Sequence, residues 1–201
     1  MEDTTGTKAT LRVAVHELRT PLAVLRLLGG NLPEADRRLF EETVRHIDAV
    51  LAGLGGAHGR ISPAPAEDVA DAVTRMLGRL HPDRLIERSG RTVLLVDRHP
   101  VEEILINLLN NALRHSPGAT PVKLRIGEDG GNVTMTVEDQ GEGIPAAERE
   151  LVFAEGYSTA RSTGLGLGIS RQIAESAGGR LDVLDSATGC RILLTIPALV
   201  A

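Results

Sequence analysis

The stretch GGAHGRISPAPAE, Gly55 to Glu67, divides the chain, because its glycines and prolines deny the backbone a regular hydrogen-bonding ladder. The residues on either side must therefore be read separately. Before the break the pattern is helical. Leu11, Val15, Leu18, Leu22 and Leu25 repeat at spacings of four and three, as one core-facing stripe of an amphipathic helix does. This predicts a helix over 8–30, stopped by Gly29-Gly30-Asn31 and Pro33. Phe40, Val44, Ile47, Leu51 and Leu54 repeat four, three, four, three, which predicts a second helix over 33–54 with an apolar seam. One α hairpin buries too little to stand alone, so a second copy is expected to complete a dimeric four-helix bundle. The expected domains are 1–58, a linker at 59–66, and 67–201.

Beyond the break the pattern alternates. Helices are expected at 67–80, 100–115, 146–153 and 166–177, and strands at 92–96, 121–127, 132–139, 180–185 and 190–196. That mixture implies a sheet covered on one face by helices, an α/β sandwich. Hydrophobic residues make up 42% of the 201 residues, but Phe40, Phe153 and Tyr157 are the only aromatics. The core must therefore be built from Leu, Val, Ile and Ala, and base stacking on nucleic acid is excluded as a main activity. A formal net charge of -5 excludes a general polyanion binder. Cys190 is the only cysteine, which excludes an internal disulfide and a thiolate metal cluster and suits a reducing cytoplasm. No apolar run reaches the roughly 18 residues that span a bilayer. MEDTTGTK at the N-terminus lacks the features of a signal peptide, so no membrane contact by this chain itself is expected.

Four stretches carry candidate chemistry. HELRTPL places His16 just off the buried stripe, Glu17 beside it and Thr20 one turn further on. Pro21 cannot donate to the carbonyl one turn back, so the helix should bend there. Taken alone, His16 reads most simply as an ordinary, partly exposed helix histidine. NLLNNALRHS puts Asn107 and Asn111 one turn apart on an apolar helix, where asparagine is a poor helix former. Their side chains either bond locally or offer hard oxygen ligands to Mg²⁺, with Arg114 and His115 in reach of phosphate. DQGEGI carries Asp139 at the end of a strand, followed by Gly141 and Gly143. This is either a common turn or a carboxylate that accepts from an exocyclic amine while the chain wraps a base. STGLGLGIS brings Gly164, Leu165, Gly166, Leu167 and Gly168 to the start of a helix, where backbone N–H groups can meet phosphate oxygens. A lone G-x-G-x-G is a weak signal. His46, His58, His81 and His99 share no spacing that suggests a metal site.

In this order the four stretches resemble the H-box, N-box and two glycine boxes of the sensor histidine kinases of two-component signalling. Phe153 stands where that family carries its F-box, and the resemblance covers about residues 8–197. It implies a dimeric phosphotransfer hairpin joined to a Bergerat-type ATP-binding domain. By the same resemblance His16 is the phospho-acceptor and Glu17 the residue that polarises it. Asn111 is the Mg²⁺ ligand, Asn107 its companion, and Asp139 the adenine-binding carboxylate. Thr20 would position the water that hydrolyses a regulator's phosphoaspartate. ATP and Mg²⁺ are the implied cofactors, and a homodimer and the receiver domain of a response regulator the implied partners. Related ATPases that hydrolyse ATP with water carry a glutamate where Asn107 stands.

The family's sensor and transmembrane regions are missing from this sequence, and the segment AEGYSTARST between Phe153 and Gly164 is brief for an ATP lid. Either a catalytic fragment or a cytoplasmic kinase signalled by a partner is expected. A Bergerat-fold serine kinase of the anti-sigma-factor kind would lack the HELRTPL helix. A pseudokinase scaffold would show damaged nucleotide boxes, and these read as intact.

Overall fold

In the computed structural model the chain forms two compact units, Met1–Ile61 and Ser62–Ala201. The structure describes residues 61–118, 120–154 and 166–200, together with Leu18, Leu22, Leu25, Phe40, Val44 and Ile47. These last six are all helical. Leu22 and Val44 are buried in one cluster with Phe40 packed against it, so side chains from both predicted seams meet. Leu18, Leu25 and Ile47 were expected to face a core, but they remain 50%, 44% and 39% exposed. An apolar stripe about 100° wide is broader than one neighbouring helix covers. The bounds of the two predicted helices, and His16, Glu17 and Thr20, lie outside the described residues.

The second unit begins inside the stretch expected as linker. Pro63–Pro65 form β1, which pairs antiparallel with β3, Leu95–Asp97, in a two-stranded sheet. Such a marginal ribbon tolerates prolines, which have no N–H to give. Ala66–Leu80 follows as α1. It buries Val69, Ala70, Val73 and Leu77, and carries Glu67 and Asp68 at its positive end and Arg79 in its last turn.

Five strands make the main sheet. They are β2 (Ile86–Ser89), β4 (Val122–Asp129), β5 (Asn132–Glu138), β6 (Arg180–Leu184) and β7 (Arg191–Pro197), in the order β2-β4-β5-β7-β6. β2 runs parallel to β4, and the other neighbours are antiparallel. Alternation sets the buried face. Ile126, Met135, Leu194 and Leu181 form one cross-strand row, and Leu124, Val137, Ile192 and Val183 the next. On the other face of the sheet Glu138 is ion-paired to Arg191. The helix α2, Arg98–His115, lies on β4 and β5 and packs against both α1 and α3, Gly166–Ser176. α3 lies on β6 and β7.

Three expectations change. The strand predicted over 92–96 starts only at Leu95. Thr92 is buried, accepts from Leu94 N and donates to Glu128, which turns the chain before it pairs. β2 was not predicted, because Ile86 is its one apolar residue; ion pairs from Arg88 to Glu67 and Asp71 tie it to α1. The helix expected over 146–153 is two 3₁₀ turns, Ala146–Glu148 and Leu151–Phe153. Only Val152 and Phe153 of these turns are buried, too few for an α-helical stripe. No helix among the described residues is long and apolar enough to cross a membrane.

Candidate functional site

Asp139 is the first residue beyond β5, the central strand, and only 8% of its surface is exposed. Burying a carboxylate is costly unless hydrogen bonds replace its lost hydration. Here Gly141 N donates to Oδ1 at 2.8 Å and Cys190 N donates to the same oxygen at 3.0 Å. Asp139 N in turn donates to the Cys190 carbonyl at 2.9 Å, which adds one more rung after the last β5–β7 pair, Glu138 and Arg191. Both side-chain bonds fall on Oδ1, so the carboxylate is held by one oxygen while Oδ2 accepts no hydrogen bond among the described residues. Charge-assisted bonds of this kind are short and directional.

Glycine is required where the chain closes round this carboxylate. Gly189 has φ +65°, and a methyl group there would overlap the Asp139 carbonyl oxygen and stand 2.9 Å from Oδ1. Gly143 has φ +78°, and a methyl group would stand 2.7 Å from the Gly189 carbonyl oxygen. Between these loops opens a cleft of about 540 Å³, lined by residues 140–145 and 186–189. Thr188 Oγ1 donates to Gln140 Oε1 across it at 3.3 Å. The Cys190 thiol is pushed up to about 12, first by burial and then by the Asp139 charge. It stays protonated near neutrality, so Cys190 serves the site through its backbone N–H and not as a nucleophile.

The end of α2 is tied to the same loop. A methyl group at Gly141 would stand 2.8 Å from the His115 carbonyl oxygen, and Gln140 N donates to Ser116 Oγ at 3.4 Å. Arg114 and His115 are exposed on the last turn of α2, and Arg114 has an interaction partner. On the inner turns of that helix the asparagines face α3. Asn107 Nδ2 donates to the fully buried Ser170 Oγ at 3.3 Å, and a methyl group at Gly166 would stand 3.5 Å from Asn111 Nδ2.

The structure therefore brings Asn107, Asn111, Asp139, Gly141, Gly143, Gly166 and Gly168 into one connected system, with Leu167 between the two helix glycines. Gly164 and Leu165 lie outside the described residues. Four residues of the site were not singled out as such: Ser116 and Ser170, which close the stretches NLLNNALRHS and STGLGLGIS, and Gly189 and Cys190, which lie outside all four stretches. Gly189 was readable as a turn between two strands, but not as the neighbour of a residue fifty positions earlier.

Residues 96–200 match the model of the family described as histidine kinase-, DNA gyrase B-, and HSP90-like ATPase. The signal transduction histidine-protein kinase/phosphatase MprB of Mycobacterium tuberculosis is 32% identical over 206 residues, 88% of this chain and 40% of that protein. The sensor-type histidine kinase PrrB of the same species is 30% identical over 208 residues, 92% of this chain and 46% of that protein. The chain thus spans less than half the length of these relatives. Among solved structures, a mycobacterial sensor histidine kinase MprB superposes with a TM-score of 0.61 at 31% identity, covering 68% of this chain and 97% of that one. Full-length ShkA in complex with AMPPNP gives 0.65 at 25% identity, covering 96% of this chain and 46% of that one.

The glycine geometry makes a direct prediction. Gly189→Ala should destabilise the protein by about 2–4 kcal/mol in urea unfolding, from backbone strain at positive φ plus overlap with Asp139. Gly118→Ala, where nothing lies within 4 Å, should change stability by less than ~0.5 kcal/mol. Equal midpoints for the two variants would show that the 189 turn yields without cost.

Proposed function

The chain belongs to the histidine kinase-, DNA gyrase B-, and HSP90-like ATPase family, and its second unit has the α/β fold of sensor histidine kinase catalytic domains; from that premise we propose that it is an ATP-dependent protein histidine kinase. It phosphorylates itself on His16 and passes the phosphoryl group to an aspartate on the receiver domain of a response regulator. The observation that carries this reading is the anchoring of Asp139, whose Oδ1 takes both backbone donors and leaves Oδ2 to accept from the adenine amine.

From this anchoring each residue takes a role. Gly141 and Gly143 let the chain pass close under the base. Gly164 to Gly168, with Leu165 and Leu167 between them, would offer backbone N–H groups to the triphosphate, and Arg114 and His115 at the end of α2 would reach toward phosphate. Asn111 beside Gly166 would hold Mg²⁺. A single hard oxygen donor from the protein fits an ion that keeps waters and phosphate oxygens in its shell. When bound, Mg²⁺ neutralises charge on the phosphates. Asn107 is a companion that lacks a carboxylate to activate water, which favours transfer to protein over hydrolysis.

Imidazole, with an ordinary pKa of about 6.5, is largely neutral near pH 7 and a competent nucleophile. A ring nitrogen of His16 attacks the γ-phosphorus, the bond to the β–γ bridging oxygen breaks, and ADP leaves while Glu17 assists removal of the imidazole proton. Thr20, one turn beyond His16, would place the water that removes phosphate from the regulator, the phosphatase arm of the same cycle. Residues 1–58 would supply the dimerising phosphotransfer hairpin, 59–66 the joint and 67–201 the ATP-binding unit. A second copy would cover the exposed Leu18, Leu25 and Ile47. A cytoplasmic setting and a membrane anchor in a longer native protein both fit this reading.

Two experiments test the reading. Incubation with γ-labelled ATP and Mg²⁺ should yield protein-bound label that is labile in acid and stable in base. His16→Gln should abolish it while ADP binding by calorimetry stays within about twofold of wild type, as expected when nucleophile and nucleotide site sit in different units. Base-labile label, or label persisting in His16→Gln, contradicts the assignment. Thr20→Ala should lose most phosphatase activity toward the phosphorylated regulator, with self-phosphorylation within about threefold of wild type. If both activities fall together, Thr20 supports the helix and holds no water.

A further inference from the structure

We propose that Arg171 is a positioning residue for phosphoryl transfer, fixing the first turn of α3 against the 3₁₀ turn that carries Phe153. This inference rests on the kinase reading above and adds a residue outside the four boxes. Gly166, at the start of α3, adjoins Asn111. Gly168 passes so near the Phe153 backbone that a methyl group would stand 2.8 Å from its carbonyl oxygen. The first turn of α3 is therefore wedged between a side chain of α2 and the backbone of the 3₁₀ turn.

Arg171, three residues beyond Gly168, lies on the same helix face. Its guanidinium carbon is 3.9 Å from the centroid of the Phe153 ring. From that stack Nη1 donates to Glu150 Oε2 at 2.8 Å and Nη2 to Oε1 at 3.5 Å. Nε lies 3.9 Å from Glu175 Oε1, one turn further along α3. One planar group thus joins α3 to both ends of the stretch from Glu150 to Phe153.

An ion pair with an exposed glutamate contributes little to stability by itself, and Glu150 is 81% exposed. The arrangement here asks for more than a charge. Only a planar fork can stack on the buried Phe153 ring and hold a carboxylate in the same plane. What it fixes is the direction of the N–H groups at 166–168. Such groups favour charge developing on a transferring phosphoryl only while preorganised, and a small misplacement lowers turnover before it lowers affinity.

The test uses the full chain. Arg171→Gln should lower the kcat of self-phosphorylation roughly tenfold, with KM for ATP and ADP affinity within about twofold of wild type. Arg171→Lys, which keeps the charge but loses the planar fork, should not recover and should stay within about threefold of Arg171→Gln; a wild-type kcat in Arg171→Lys overturns the inference. Adding Phe153→Leu to Arg171→Gln should cost little more, since both remove one contact. Hydrogen exchange of the nucleotide-free protein reads the positioning without any turnover. The amides of 170–173, whose bonds to the carbonyls of 166–169 close the first turn of α3, should exchange faster in Arg171→Gln, by roughly tenfold, while those of β5 are unchanged. Wild-type exchange at 170–173 overturns the inference, and so does a wild-type kcat in Arg171→Gln. A loss of kcat matched by equal losses of ADP affinity and thermal midpoint assigns Arg171 to fold support and also overturns it. If wild type carries no acid-labile label, the kinase reading fails instead, and the exchange result still decides whether Arg171 holds α3.

Discussion

Two backbone amides, Gly141 N and Cys190 N, donate to one oxygen of Asp139, and the rest of the site depends on that arrangement. A nearly buried carboxylate needs such donors to replace the hydration it gives up. Supplying both donors from the backbone costs no side-chain entropy, but requires two loops to approach more closely than any Cβ allows. The glycines at 141, 143 and 189 meet that requirement. The Asp139–Cys190 pair continues the register of β5 and β7, so the central strand delivers the carboxylate to a fixed place.

The second half of the site is organised by packing. α2 lies over β4 and β5 and meets α3 along its inner turns. Its apolar residues Ile104, Leu105, Leu108 and Leu109 are fully buried or nearly so. That burial fixes the rotation of the helix and therefore where Asn107 and Asn111 point. Ser170 and Gly166 receive them on α3. The same helix ends at Ser116 and His115, which touch the loop after Asp139, so one rigid element connects the base end of the proposed ATP site to its phosphate end.

Much of this was legible in the sequence. Alternating apolar residues marked β4, β5 and β7, and long apolar periodicity marked α1 and α2, since burial on one face imposes those periods. The stretches NLLNNALRHS, DQGEGI and STGLGLGIS marked residues that the fold brings close together, whereas His16, Glu17 and Thr20 of HELRTPL lie outside the described residues. What the sequence hid were relations between distant positions. Gly189 and Cys190 act on Asp139, and Ser170 acts on Asn107, through contacts that exist only once the sheet and helices are in place. β2 escaped because ion pairs from Arg88 to α1, and not apolar alternation, hold it. Residues 146–153 read as a helix because they lack breakers, but two buried side chains cannot anchor one, and the chain settles into 3₁₀ turns.

The central claim is that the anchored carboxylate of Asp139 reads an exocyclic amine. Hypoxanthine differs from adenine where that amine stands, carrying a carbonyl oxygen that would face the carboxylate instead of donating to it. Calorimetric titration with ADP and with inosine diphosphate, under identical Mg²⁺ and salt, isolates that contact. The account predicts that inosine diphosphate binds roughly 10- to 100-fold more weakly, the loss expected when a buried charged acceptor is left without its donor. Equal affinities for the two nucleotides would contradict it and place the base elsewhere.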